Sequence, residues 1–352
     1  MNFLRLTVFV LVIFHLVTNS ELSAQTSNSD QRLKEALRRF PQADADRDGI
    51  LTLREAKLFR NKMLEGQPNQ PAGNKSGKGR IRGDKRIYKK IAGVELPLYI
   101  FRPANHRATS KAPAIVFFFG GGWRTGDPKQ FEGQCKYLAD RGMVAITVDY
   151  RVSSRHDVKI EDCVEDAKSA MRWVRSNAGD LGIDPNRIAS GGGSAGGHLA
   201  ACVGMVDSLN SETDDLDVSS KPNAMVLFNP GMALAMDDHI PERVARVLAE
   251  KRANKGADLL RTHGDPKVIS PLAYAEKKQP PMIMFFGTKD PGLLTSKIYA
   301  DVTRKAGNEC RLITYEGQSH GFFNNRKEKY FDLTLQEVDK FLVSLDWLEP
   351  DA

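Results

Sequence analysis

Cysteine is scarce in this chain: four residues in 352, at positions 135, 163, 202 and 310. None has the spacing of a zinc site, and a core of about 260 residues after Tyr88 does not need disulfide staples. Cys135, Cys163 and Cys202 fall on expected helices among residues typical of buried faces, and Cys310 opens the last expected strand. Free, buried thiols are therefore expected. Long apolar runs are missing too. Leu6 to Val17 is about a dozen residues, against the ~20 that a bilayer-spanning helix needs. A basic face is also lacking. The net charge is +7, and eight lysines and arginines against one aspartate between Asn74 and Lys90 account for all of it. The remainder is neutral, which argues against nucleic acid as a partner.

Three segments divide what is present. Arg5, the apolar run and the small residues Leu22-Ser23-Ala24 read as a secretory signal peptide over residues 1–24, so the mature chain is expected to be secreted or periplasmic, without a transmembrane segment. No cysteine follows the apolar run to carry a lipid anchor. Asp44-Ala45-Asp46-Arg47-Asp48-Gly49-Ile50-Leu51-Thr52-Leu53-Arg54-Glu55 fits the D-x-D-x-D-G-x5-E pattern of an EF-hand loop. That spacing offers Ca²⁺ the carboxylates of Asp44, Asp46 and Asp48, the Ile50 carbonyl, Thr52 through water and a bidentate Glu55. Leu33, Leu37 and Phe40 give the entering helix an apolar face; Leu53, Ala56, Phe59 and Met63 do so for the exit helix. Pro41 should disturb the end of the entering helix. A small helical module over 25–65 follows, with a structural rather than sensing calcium. Residues 66–86 lack apolar periodicity and read as a flexible basic linker, suited to an anionic surface or polysaccharide.

The catalytic signal lies in residues 87–348. Gly192-Gly193-Ser194-Ala195-Gly196 stands between a strand at Arg187–Ser190 and a helix at Ala195–Met205, which is the setting of a nucleophile elbow. Phe119-Gly120-Gly121-Gly122-Trp123 leaves the apolar run Ala114–Phe118 and exposes backbone N–H donors of the kind that stabilise an oxyanion. Asp290 follows the strand Met282–Phe286, and His320 follows the strand-like Glu309–Tyr315. The order Ser194, Asp290, His320, each beyond the carboxyl end of a strand, is that of a hydrolase triad. Among the seven histidines, His198 lies one turn past Ser194 on the same helix and reads as structural. For the acid, Glu316 and Asp301 compete with Asp290, but only Asp290 sits on a turn after an apolar strand. Eight strands are expected, beginning near Ile87, Leu96, Ala114, Val144, Arg187, Ala224, Met282 and Glu309. Helices are expected at Pro128–Arg141, Ile160–Asn177, Ala195–Met205, Leu294–Gly307 and Lys329–Leu345. This is an α/β domain with a mostly parallel sheet covered on both faces.

These blocks, with Phe101-Arg102-Pro103, Asp149-Tyr150-Arg151 and Asp184-Pro185-Asn186-Arg187-Ile188, resemble the α/β-hydrolase esterases with an HGGG-type oxyanion loop. Within that group the chain is similar to bacterial acetyl-xylan and feruloyl esterase-like and hormone-sensitive-lipase-like enzymes. The resemblance covers roughly Tyr88 to Leu345. Phe119 departs from the usual His, and Gly193 from the usual Asp, Glu or Gln. The resemblance implies an oxyanion hole from the N–H groups of Gly121, Gly122 and Ala195, and a cap over Gly231–Pro271 with a helix at Glu242–Arg252. Met232, Leu234 and Met236 are candidates for an acyl pocket. The cap carries Asp237, Asp238, Arg243, Arg246 and Lys251, too polar for a surface-activated lipase. The expected activity is removal of short acyl groups, acetyl foremost, from carbohydrate or similar polar esters, with no catalytic cofactor. A peptidase of the same fold and an inactive calcium-dependent binding scaffold are the alternatives. The first lacks its customary extra domain, and the second is opposed by an intact triad.

Overall fold

The computed structural model describes residues 26–52, 55, 56, 59, 81–246, 262–324 and 329–350. The chain divides into two compact units, Met1–Lys78 and Gly79–Ala352. The expected signal peptide, Leu53, Met63, Lys251 and the cap helix beyond residue 246 lie outside the described residues.

The larger unit is built on one eight-stranded sheet. Its strands are β1 (Asp84–Ile91), β2 (Val94–Phe101), β3 (Ala112–Phe118), β4 (Val144–Val148), β5 (Ile183–Gly193), β6 (Ala224–Phe228), β7 (Met282–Gly287) and β8 (Cys310–Tyr315). Their order is β1-β2-β4-β3-β5-β6-β7-β8. Strand β2 runs antiparallel to both its neighbours, and every other pairing is parallel. Strands β3, β4, β6 and β7 are buried throughout, which is why they read as continuous apolar runs rather than alternating ones. Alternate residues feed two separate cores. Val116, Phe118, Leu227 and Met284 pack with the helices Ile160–Ser176, Ala195–Met205 and Leu293–Lys305. Ile115, Phe117, Val226 and Phe285 pack with Glu132–Asp140 and Lys329–Val343.

Helix bounds depart from expectation where local chemistry intervenes. The element expected at Pro128–Arg141 opens as a 3₁₀ turn, Pro128–Phe131, with the Asp127 side chain capping the Lys129 N–H. Strand β5 begins at Ile183, ahead of the expected Arg187, because Ile183 pairs with Ala112 before the register shifts.

The linker needs a larger correction. Strand β1 starts at Asp84, so Asp84, Lys85 and Arg86 belong to the sheet. Lys85, Arg86, Lys89 and Lys90 therefore all sit on a strand. Lys90 pairs with Glu95 at 2.7 Å, and Lys89 is buried against Asp166 at 2.8 Å. Arg151 meets the same carboxylate through Nε at 2.7 Å. Removing one partner of such a buried cluster leaves uncompensated charge, at about 3–5 kcal/mol. Asp166→Ala should lower the thermal midpoint by on the order of 10 °C. A calorimetric shift of under about 2 °C would contradict this role. All four cysteines are free and buried.

The smaller unit holds the helix Gln31–Arg39. Its Leu33 and Ala36 pack with Ala43, Leu51 and Ala56, flanked by Leu37, Phe40 and Phe59. The helix ends at Arg39, and Pro41–Ala43 forms a 3₁₀ turn. The missing proline N–H and fixed φ explain the break. Thr26 bridges Thr52 in antiparallel fashion, and the Ser27 N–H donates to the Leu51 carbonyl at 2.8 Å. The chain's own preceding segment thus covers the strand edge of the acidic loop.

Candidate active site

Ser194 leaves β5 at φ 55°, ψ −118° and starts the helix Ala195–Met205. That left-handed backbone is uncommon for a residue with a side chain, and such strain clusters at functional sites. It requires close approach around it: a Cβ on Gly196 would lie 2.0 Å from the Phe118 carbonyl oxygen. The Ser194 N–H donates to the Phe228 carbonyl at 2.8 Å, which fixes the turn from β6.

His320 Nε2 lies 2.8 Å from Ser194 Oγ, and His320 Nδ1 lies 2.7 Å from Asp290 Oδ2. A carboxylate only accepts, so Nδ1 carries the proton and Nε2 accepts from the serine hydroxyl. Asp290 is buried and His320 exposed, so the carboxylate is shielded while the imidazole meets solvent. The Gly292 N–H donates to Asp290 Oδ1 at 2.8 Å, and Asn229 Nδ2 donates to Oδ2 at 2.8 Å. Glu316 and Asp301 are exposed, and neither bonds to His320. Among the described residues, His106, His156, His239 and His263 bond to partners outside this group.

The glycine loop approaches the elbow directly, since a Cβ on Gly120 would lie 3.2 Å from Ser194 Cβ. Among the described residues, the N–H groups of Gly121, Gly122 and Ala195 donate to no protein acceptor. Gly121 and Gly122 continue that loop and Ala195 follows the serine, so these unpaired donors are the ones available to an oxyanion. The two departures from the family pattern have physical counterparts. Phe119 stacks on Tyr150 with ring centroids 4.2 Å apart, and the Tyr150 hydroxyl donates to the Phe119 carbonyl at 2.7 Å. The loop is thus held through its backbone, where a histidine ring would hold it through a side chain. At Gly193 a Cβ would lie 2.4 Å from Cζ of the Phe323 ring, so the usual acidic residue has no room.

His198 is buried, and its ring nitrogens bond to Trp123 and Ile269 and not to the Ser194 hydroxyl. Its Nδ1 accepts from Trp123 Nε1 at 3.2 Å, so its Nε2–H donates to the Ile269 carbonyl at 2.6 Å. Burial pushes its pKa down to about 4, which keeps the ring neutral at physiological pH. It ties the glycine loop to the segment expected to cap the site. Met232 and Leu234 are core residues, while Met236 is exposed.

In the acidic loop, one oxygen from each of Asp44, Asp46 and Asp48 lies within 4.8 Å of the others. The N–H groups of Arg47 and Gly49 donate to Asp44 at 2.8 and 2.9 Å, and that of Ile50 donates to Asp48 at 2.7 Å. Gly49 takes φ +82°, the left-handed turn expected of it. Glu55 turns back onto the loop, accepting from the N–H groups of Ala45 and Thr52, both at 3.0 Å. These donors outweigh the desolvation of Glu55 and hold its carboxyl below the usual range. Asp46 is raised despite the Asp48 N–H it accepts, through desolvation, the charges of Asp48 and Glu55 and a side-chain hydrogen bond with Asp44. Crowded, mutually repelling oxygens of this kind fit a hard divalent cation.

Fold and site together define an α/β-hydrolase with a serine nucleophile arrangement. The BD-FAE family model matches residues 98–297, and the chain belongs to that family of α/β-hydrolase esterases. It is 44% identical to Thermogutta terrifontis esterase 2 in its apo form, with a TM-score of 0.70, covering 78% of this chain and 98% of that one. It is 29% identical to carboxylic ester hydrolase LipN of Mycobacterium tuberculosis, over 65% of this chain and 61% of LipN. Isoprenylcysteine alpha-carbonyl methylesterase ICME of Arabidopsis thaliana is 28% identical over 67% of this chain and 57% of its own length. The chain spans between half and about three fifths of the length of the curated relatives it matches.

Proposed function

We propose that this protein is a serine carboxylic-ester hydrolase that releases short acyl groups, acetyl foremost, from carbohydrate or similar polar alcohols. The observation that carries the reading is the bonded series Ser194–His320–Asp290 beside the free N–H groups of Gly121, Gly122 and Ala195. Ser194 Oγ attacks the ester carbonyl while His320 Nε2 takes its proton, and Asp290 holds the Nδ1–H tautomer and offsets the imidazolium. The three N–H groups receive the oxyanion. His320 then gives the proton to the leaving alcohol, and water resolves the acyl-enzyme by the same steps.

A short acyl group is supported by the polar cap and by the esterase 2 structures, which hold propionate and butyrate. Activity on p-nitrophenyl esters should fall beyond about six acyl carbons, because the cap sequence intersperses its Met and Leu residues with charges such as Asp237, Asp238, Arg243 and Arg246, against the large apolar patch that long chains require. Faster hydrolysis of emulsified long-chain triglyceride than of acetyl esters would contradict the chain-length claim. Failure to release acetate from acetylated xylan would remove the carbohydrate claim alone. Export through residues 1–24 would place the enzyme where such polymers occur. For attachment to an anionic surface, Lys89 is already bound within the fold by Asp166. The role would fall to the cations that precede β1.

The acidic loop we assign to one structural Ca²⁺, held by Asp44, Asp46, Asp48, the Ile50 carbonyl, Thr52 through water and Glu55. The expected affinity is weak, ~10⁻⁴–10⁻³ M as in extracellular modules. Chelation should loosen residues 30–65 and leave esterase activity largely intact in a truncation starting at Gly79. Calorimetry without a calcium isotherm, or an inactive truncation, would contradict this.

A further inference from the structure

The oxyanion loop and the His320 loop come from opposite ends of the larger unit's sequence, yet side-chain amides connect them. The Gly120 N–H donates to Gln130 Oε1 at 2.5 Å, and Gln130 Nε2 donates to Asn324 Oδ1 at 2.9 Å. Asn324 Nδ2 donates to the Gly321 carbonyl at 3.0 Å. The Gly321 N–H donates to Asn229 Oδ1 at 3.2 Å, and Asn229 Nδ2 donates to Asp290 Oδ2 at 2.8 Å, the oxygen that also holds His320. We propose that Gln130, Asn229 and Asn324 form a carboxamide relay that sets the spacing between the oxyanion donors and the general base. They are positioning residues, and the kinetic consequences rest on the ester-hydrolase reading above.

The chemistry of each link selects an amide. Gln130 must accept from a backbone N–H and donate to an oxygen. Asn229 must accept from Gly321 and donate to a carboxylate, and Asn324 must accept from Gln130 and donate to a carbonyl. A carboxamide does both from one short planar group at any pH, which a carboxylate or an ammonium cannot. Asn229 is also fully buried and sits at φ 46°, a left-handed backbone that asparagine tolerates better than most residues. A leucine there would meet both demands poorly. Gln130 lies on the Pro128–Phe131 turn and Asn324 ends the Phe322–Asn324 turn, so each amide stands on a short, packed element. Such a link matters because displacement of reacting groups by 1 Å costs on the order of 10²-fold in rate.

Two measurements test the relay. First, Gln130→Met, Asn324→Ala and the double variant are compared with wild type on p-nitrophenyl acetate. Each single variant should lose about tenfold in kcat with KM changed less than about twofold, a fraction of the full misplacement cost. The double variant should be no worse than the poorer single, since both interrupt the same series of bonds at the Gln130–Asn324 link. Second, His320 is titrated by NMR in a Ser194→Ala background, with and without Asn229→Ala. Asp290 is the carboxylate that bonds His320 among the described residues. Loss of the Asn229 donor leaves that carboxylate less neutralised and should raise the His320 midpoint. Unchanged kcat in the Gln130 and Asn324 variants, additive losses, or an unmoved His320 midpoint would overturn the relay and leave the esterase reading standing. No hydrolysis of any ester by wild type, with the His320 shift present, would overturn the esterase reading and leave the relay standing.

Discussion

Ser194→Ala is expected to lower kcat on p-nitrophenyl acetate by roughly 10⁶-fold, the scale seen when a triad nucleophile is removed. That corresponds to about 8 kcal/mol of transition-state stabilisation. The substitution removes only the hydroxyl. Cβ remains, so the strained φ of 55° is no worse for alanine, and the 2.8 Å bond from the residue's N–H to the Phe228 carbonyl persists. Circular dichroism and thermal unfolding should therefore match wild type. Turnover near the wild-type level would remove Ser194 from the mechanism.

Asp290→Asn is expected to cost about 10⁴-fold, because an amide reverses the tautomer of the base. Oδ2 of Asp290 accepts from both His320 Nδ1 and Asn229 Nδ2, and Oδ1 accepts from the Gly292 N–H, so the new NH₂ would oppose a donor in either orientation. Turned toward Nδ1, it would move the ring proton to Nε2, where it blocks transfer from Ser194. Turned away, it would face the Gly292 N–H in a buried site. Glu316→Gln is the control, since Glu316 is exposed and does not touch His320. A larger loss from Glu316→Gln than from Asp290→Asn would mean that the acid has been misassigned.

The bonded series Ser194–His320–Asp290 was legible because each residue answers to its own few neighbours. A turn at Ser194 tight enough to bring Gly196 against the Phe118 carbonyl excludes larger side chains, so the constraint is written as a local glycine pattern. Strands buried on both faces announce themselves as apolar runs, and Asp290 stands just beyond one of them, while His320 follows the partly exposed edge strand β8. Contacts between distant segments leave no such trace. Gln130 and Asn324 are 194 residues apart, and nothing around either one marks it as a bridge. Asn229 directly follows β6 in no recognisable motif, although its side chain reaches both Asp290 and Gly321. The basic run before β2 misled for the same reason. Lys89 resembles its solvated neighbours in sequence, and only the fold brings it to Asp166, 77 residues on. The substitutions at Phe119 and Gly193 were visible as departures, but the tyrosine and phenylalanine that accommodate them were not.

The central claim is that an ester is cleaved through an acyl group carried on Ser194. Its most direct test is rapid mixing with p-nitrophenyl acetate, acid quenching within the first turnover, and peptide mass mapping of the quenched protein. The account predicts a burst of p-nitrophenol stoichiometric with enzyme and a single acetyl group on the peptide containing Ser194, both absent in Ser194→Ala. Steady release of p-nitrophenol with no burst and no acetylated peptide, or an acetyl group on another residue with Ser194 unmodified, would contradict it.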